Sequence, residues 1–547
     1  MPSRVCSQQA MTATSTQPPT SCELAMAAFK AGQIDKAQQL IQSNWLVEAD
    51  NADACALLGA IYATRRDFAA ALPLFTRAVE LAPGKAQFHF NLGVAHAELL
   101  SLDAAIESYA KALALQPQHI HALSNLGDLL SRHDRADEAR QHYEAIRALD
   151  PDTRGLNIRL AGIYFDLQDY GQAEDYFKLA LQQAACDASG TNTQVAQIRW
   201  HYAHLLLLKK RFVEGWEGYE FRGKCADVIA VPHYPHRQPV WSGERLHGKT
   251  LLVFREQGLG DEIMFGSLIA QAATDVQRLI IVASPAMFRL WQSTFNSQNR
   301  ATDKVHVFAD WYPQPPLWDT PAAPDWLTTS GVDFQCPVGR LAFLLRPTVE
   351  SFATPRISQT VEPALILKWQ HRLANEAALA DKHRVGLMWC ANAMRHCFDG
   401  AQRSMRKSVP LHEFNHLNPR PAQLQLVSLA NAEHAAQLVS PDAPHMLDFS
   451  KYLTDLAETA ALIKNLDLII TVDTSLAHLA GALGLQVWLL LGHSADWRWG
   501  ENDDTSYWYV NVRIFRQSRA GDWATVVKTV SAELACWADN RPTQAVG

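Results

Sequence analysis

The pairs Leu58-Gly59, Leu92-Gly93 and Leu126-Gly127 fall 34 residues apart, and Leu160-Ala161 continues the series. The same interval separates Ala71, Ala105, Ala139 and Ala173, the aromatics Phe75, Tyr109, Tyr143 and Phe177, and the prolines Pro83, Pro117 and Pro151. A period of this length describes a pair of antiparallel helices too small to bury its own apolar face, so that a core forms only when neighbouring pairs stack. Glycine and alanine sit where helices touch. The prolines end the second helix of each pair, since proline removes a backbone donor and clashes with the preceding turn. An unrelated helical bundle has no reason to repeat at this interval.

These residues make the tetratricopeptide pattern. A weaker first unit around Leu24 and Ala37 and a degenerate last one, Trp200 to Tyr219, read as caps, which gives a superhelix over residues 21–222. Residues 1–20 are polar, lack an apolar signal core and read as a disordered leader.

Composition narrows the function classes. The 547 residues are 48% hydrophobic and 19% charged, as in a soluble globular protein, with material for several domains. A net charge of −7 leaves no basic footprint for nucleic acid. The nine cysteines are scattered without a CxxC, which fits reduced thiols and a cytoplasmic location. No run approaches the ~18 apolar residues of a membrane span.

Organisation changes near residue 222. Residues 223–249 carry Pro232, Pro235 and Pro239 and read as an extended linker. Beyond it, short β-rich runs alternate with helix-length segments: TLLVF and LIIVA, then VGLMWCA, LQLVSL, DLIITV and VWLLL. Alternation of this kind implies parallel sheets with crossover helices. Two sets in series imply two Rossmann-like lobes, over residues 250–375 and 376–547. Ligands of such sheets bind outside the carboxyl ends of the strands, so the loops after TLLVF, VGLMW and DLIITV are where chemistry is expected.

The first of these loops, REQGLGDEIMF, offers Gly258 and Gly260 for a tight turn and close backbone approach. Asp261 falls at an expected helix N-cap, where it serves either as a cap or as a catalytic carboxylate. The loop is not a dinucleotide fingerprint, because Ile263 stands where a third glycine is needed. In the second loop, VDTSLAH, Asp473 can cap while Thr474 and Ser475 open a helix whose dipole and free amides suit a phosphate. His478 lies one turn beyond Thr474 on the same face. The third loop is rich in Arg395, Arg403, Arg406 and Lys407, cations that can neutralise a diphosphate leaving group.

The chain resembles the bacterial tetratricopeptide proteins that carry a glycosyltransferase of the heptosyltransferase type with the two-lobed GT-B fold. The resemblance runs over roughly residues 20 to 540 and rests on RFVEGWEGYEFR, EQGLGDEIMF, WCAN, VDTSLAHLAGALG and DWRW. It implies sugar transfer from a nucleotide sugar to an acceptor hydroxyl on a protein or glycan presented with help of the repeats. It also implies Asp261 as general base, with Asp473, Thr474, Ser475 and His478 on the nucleotide diphosphate. The family's basic residue maps onto Lys407, followed by Pro410 and Phe414, with Arg403 or Arg406 as alternatives. Fixed donors of this sort make a metal or other cofactor unnecessary, and the only D-x-D, Asp150-Pro151-Asp152, reads as a helix end.

Two other readings stand beside this one. A repeat scaffold whose transferase domain has lost activity would use the helices only to bind partners. His412-Glu413-Phe414-Asn415-His416 also matches the H-E-x-x-H zinc-protease helix, with Glu433 at a plausible distance for a third ligand, although Pro419 and Pro421 would cut that helix short.

Overall fold

The structure, a computed structural model, describes residues 20–186, 192–225, 238–274, 276–296, 304–309, 331–353, 359–391, 407–417, 423–494 and 496–540. The chain divides into two compact units, Met1–Leu156 and Asn157–Gly547.

The first unit is a series of helix pairs: Ser21–Lys30 with Ile34–Gln42, Ala52–Thr64 with Phe68–Leu81, Ala86–Glu98 with Leu102–Leu115, and Ile120–Arg132 with Ala136–Leu149. The repeated Leu-Gly pairs now have a cause. A Cβ built on Gly59, Gly93 or Gly127 would stand 2.7 Å from the ring of Phe75, Tyr109 or Tyr143, so each aromatic lies flat against a backbone that must carry no side chain. Ala71, Ala105 and Ala139 are wholly buried beside them. Pro83, Pro117 and Pro151 each follow a helix end by two residues. The Asp150-Pro151-Asp152 segment is such an end, with Asp150 as C-cap. Between the two helices of each pair the backbone turns through the left-handed region at Gly32, Arg66, Leu100 and Asp134, once more at 34-residue intervals.

The second unit begins with two more pairs, Leu156–Asp166 with Tyr170–Cys186 and Asn192–Leu208 with Phe212–Tyr219. The last pair, read from the sequence as a cap, packs into the domain that follows it. Trp216 is fully buried, its indole N–H donates to the Arg346 carbonyl at 2.8 Å, and its ring meets Trp497 edge-on at 5.4 Å. Burying that much aromatic surface makes these helices part of the core of the α/β domain.

Two parallel sheets follow. The first has the order β3-β2-β1-β4, with β1 Thr250–Phe254, β2 Arg278–Ala283, β3 Val305–Ala309 and β4 Phe334–Pro337. The second runs β10-β9-β8-β5-β6-β7, with β5 His383–Met388, β6 Leu424–Ser428, β7 Leu447–Asp448, β8 Leu468–Val472, β9 Val487–Leu491 and β10 Val512–Arg516. Strands β1, β6, β8 and β9 are buried along their whole length, as apolar runs covered on both faces must be. Strand order reverses between β1 and β4 in one sheet and between β5 and β8 in the other. Helices diverge to opposite faces at such points and leave a crevice. The first residues after β1, β5 and β8 stand at those two crevices, giving the two-lobed GT-B arrangement.

Candidate functional site

The turn after β1 is built by Gln257, not by a glycine. Gln257 has φ 60°, whereas Gly258 has φ −88°. The strained backbone is held from the last repeat helix: the Tyr219 hydroxyl lies 3.0 Å from Oε1 and 2.9 Å from Nε2 of the Gln257 side chain. Three residues on, Arg222 makes a buried bidentate pair with Glu256 (2.7 and 3.0 Å), and the Gly339 N–H donates to the same carboxylate at 2.7 Å. RFVEGWEGYEFR and EQGLGD therefore form one packed unit. Gly260 serves close approach, since a Cβ there would lie 2.8 Å from Cδ2 of His478.

Asp261 is not the N-cap residue of its helix but the third residue of its first turn, from where its side chain caps the N-cap backbone N–H. The helix Leu259–Gly266 starts two residues earlier, with Gly258 at the N-cap. From its first turn, the Asp261 Oδ2 accepts the Gly258 N–H at 3.3 Å and Oδ1 accepts from Arg498 Nη2. The neighbouring Glu262 turns the other way, buried with the Ser284 N–H (3.0 Å) and the Trp291 indole (3.3 Å) on its carboxylate, and burial pushes its pKa up.

After β8, the cap of the Ser475–Ala482 helix is Thr474, whose Oγ1 accepts the Leu476 N–H at 3.3 Å; Asp473, expected as the cap, is one residue too early. Its carboxylate instead accepts from Lys407 Nζ and from the Trp499 indole at 2.8 Å. Burial would lower the Lys407 pKa, but Asp473 and Asp496 outweigh it and the net shift is upward. Lys407 is 41% exposed and so keeps access to solvent from that pair. Ser475 opens the helix beside it, partly exposed. Arg395, Arg403 and Arg406 lie outside the described residues.

His478 is packed and neutral. Its Nδ1 lies 3.1 Å from the Tyr509 hydroxyl, its ring stacks on Trp499 at 4.9 Å, and burial holds its pKa down at about 4. It joins the helices after β1 and β8 through the gap that Gly260 leaves.

Arg498, Asp496, Trp499 and Tyr509 were given no role from the sequence. Arg498 donates from Nη1 to both oxygens of Asp496 (2.7 and 2.8 Å), lies 4.4 Å over the Trp497 ring and reaches Asp261. Arg498 and Lys407 hold the Asp496 carboxyl well below the usual range despite its burial. An arginine between two tryptophans just beyond a buried strand was the available signal. The cluster thus gathers three carboxylates and two cations where both sheets reverse. Fixed dipoles and charges in such a place can stabilise charge that develops during a reaction.

The H-E-x-x-H segment forms a 3-10 helix, Leu411–Leu417. With three residues per turn, residues four apart are separated by about a third of a turn and do not share a face as they would on an α-helix. Among the described residues no group of three or more histidine, cysteine, aspartate or glutamate side chains is placed to hold a metal.

Comparison with known proteins agrees with this architecture. Residues 414–532 match glycosyltransferase family 9 (heptosyltransferase), and tetratricopeptide repeat models match residues 22–86, 57–120, 101–155 and 155–185. Protein FlbA of Caulobacter vibrioides is 27% identical over 462 residues, 81% of this chain and 72% of its own length. The human Protein O-mannosyl-transferase TMTC1 is 29% identical over 142 residues, 25% of this chain and 16% of its own. The crystal structure of MamA protein, at 21% identity, covers 30% of this chain and 90% of its own with a TM-score of 0.28, too low to bear on the fold. With repeats matched in its first third and both parallel sheets in place, the chain carries tetratricopeptide repeats followed by a two-lobed glycosyltransferase family 9 (heptosyltransferase) domain.

Proposed function

We propose that this chain transfers a glycosyl group from a nucleoside-diphosphate sugar to an acceptor hydroxyl on a protein or glycan, without a metal, with the repeats helping to hold the acceptor. The observation that carries the reading is the cluster at the strand-order reversals of both sheets: Asp261 on one side, with Lys407, Asp473 and the Thr474–Ser475 helix start on the other. In this reading Asp261 takes the proton of the acceptor hydroxyl as its oxygen attacks the anomeric carbon. The bond to the diphosphate breaks on the opposite side. Charge on the departing oxygen is met by the backbone amides of Thr474 and Ser475 at the start of the Ser475–Ala482 helix and by Lys407, which exchanges Asp473 for phosphate. These groups do the work a divalent cation would otherwise do. A cytoplasmic location belongs to the same proposal, since cytoplasm supplies such donors.

The test is a panel of nucleotide sugars scored for thermal stabilisation and for release of nucleoside diphosphate, with and without EDTA. A ligand at 100 times its Kd adds ~2.7 kcal/mol. One donor should stabilise the protein and turn over in either condition. If none does, the helices and the domain act as a binding scaffold; if EDTA abolishes turnover, the metal-free mechanism is wrong.

A further inference from the structure

We propose that the turn of the fifth helix pair is a working part of the transfer site, and that Gln168 is a positioning residue for Arg498 and through it for Asp261. The inference rests on the transferase reading above.

Gln168 sits between the helices Leu156–Asp166 and Tyr170–Cys186 with φ 61°. Its Nε2 donates to the His493 carbonyl at 2.7 Å, just beyond β9. One residue further, the Ser494 hydroxyl donates to Asp166 of the same turn at 3.1 Å. The following turn adds Lys210, whose Nζ lies 2.9 Å from Asp503. From the sheet side, the His493 N–H donates to the Gln517 side chain at 3.2 Å. Asp496 and Arg498 lie between these ties. Asp496 caps the short 3-10 turn Trp497–Trp499 by accepting the Arg498 N–H at 3.1 Å, and it takes the guanidinium as well. The direction of the Arg498 side chain, and so the place of the carboxylate it holds, follows from where this segment is pinned.

A merely structural role can be told apart from a positioning one, because the Gln168 backbone occupies a conformation that glycine adopts at no steric cost. Gln168→Gly relieves backbone strain while deleting the donor to His493. If the contact does nothing beyond supporting the fold, kcat of the folded variant stays at the wild-type value whatever happens to its stability. If it positions Arg498, the fold survives but the rate falls, because small misplacements of a reacting group far from the change carry large penalties.

The experiment compares wild type, Gln168→Gly, Ser494→Ala and, as a control at the equivalent turn of the first unit, Arg66→Gly. Melting temperature, amide hydrogen exchange after β9 and steady-state kinetics with whichever nucleotide sugar of the panel wild type turns over are measured. For Gln168→Gly the expected result is an unchanged or raised Tm, faster exchange confined to the segment after β9, and kcat lower by about ten-fold with little change in donor KM. Ser494→Ala should act in the same direction, and Arg66→Gly should leave kcat and that exchange alone. Wild-type exchange and kcat in Gln168→Gly overturn the role of Gln168 while leaving the transferase reading standing. A wild-type chain that transfers no sugar overturns both.

Discussion

Arg498, in the turn after β9, donates to the carboxylate of Asp261, in the first turn of the helix after β1, and so ties the carboxyl end of one sheet to that of the other. Both side chains are about one-seventh exposed. Two ions that shielded from water are costly unless matched, and the match here is completed by Asp496 on the far side of the guanidinium. The pair fixes where the Asp261 carboxylate stands before any substrate arrives.

Asp261→Asn tests the base directly. Asparagine can still accept the Gly258 N–H, and Arg498 keeps Asp496 as its anion, so the fold should persist with a small change in Tm. Turnover should fall 10²–10⁴-fold, the usual cost of a lost general base. Donor affinity by calorimetry should stay near wild type, and an undiminished rate would remove Asp261 from the chemistry.

Thr474→Ala with Ser475→Ala addresses the diphosphate site. The cap bond to Leu476 is lost, at a cost of about 1 kcal/mol, and both hydroxyls disappear from the helix start. Free nucleoside diphosphate should bind at least several-fold more weakly. Equal affinity in titration calorimetry would place the diphosphate elsewhere.

His478 predicts a slope of stability with pH. Its folded pKa is about 4 against an ordinary 6.5, because burial disfavours the imidazolium. Between these values the unfolded chain binds a proton that the folded chain refuses, so the contribution is full above pH 6.5 and is lost as pH falls through 4. Lowering pH from 7 to 5.5 should cost about 1 kcal/mol from this group alone. His478→Gln should flatten that part of the profile in denaturant titrations; an unaltered slope would assign it to other groups.

Gly93→Ala probes the repeats. Alanine is the better helix former by up to about 1 kcal/mol, yet its methyl would stand 2.7 Å from the Tyr109 ring. Overpacking of this kind costs about 1–3 kcal/mol and should win. Tm should drop, and trimming the ring with Tyr109→Leu in the same chain should recover part of the loss.

Much of this architecture was legible because its signals are local. The repeat interval, and the runs that became β1, β2, β5, β6, β8 and β9, needed only neighbouring residues to be read. Strands β3, β4, β7 and β10 escaped notice: FQCP is short and ends in proline, Leu447–Asp448 is two residues long, and VRIFR alternates charge with bulk. Asp261, Lys407, Asp473 and Thr474 were found by their place after strands. The cap positions expected for Asp261 and Asp473 were off by three residues and by one, because a helix start depends on which residue first adopts helical backbone. The role of Arg498 was out of reach for a different reason, since it lies in a carboxylate 237 residues away.

The left-handed turns at residues 32, 66, 100, 134 and 168 have one more consequence. Only the first is a glycine; arginine, leucine, aspartate and glutamine occupy the others, each at an expense of about 1 kcal/mol or more. Four unrelated side chains in one backbone shape mean that the neighbouring helices impose the bend and the residue merely tolerates it. Each such station is therefore released from folding duty, a vacancy that drift can fill with any chemistry. At residue 168 it has been filled by an amide that grips His493.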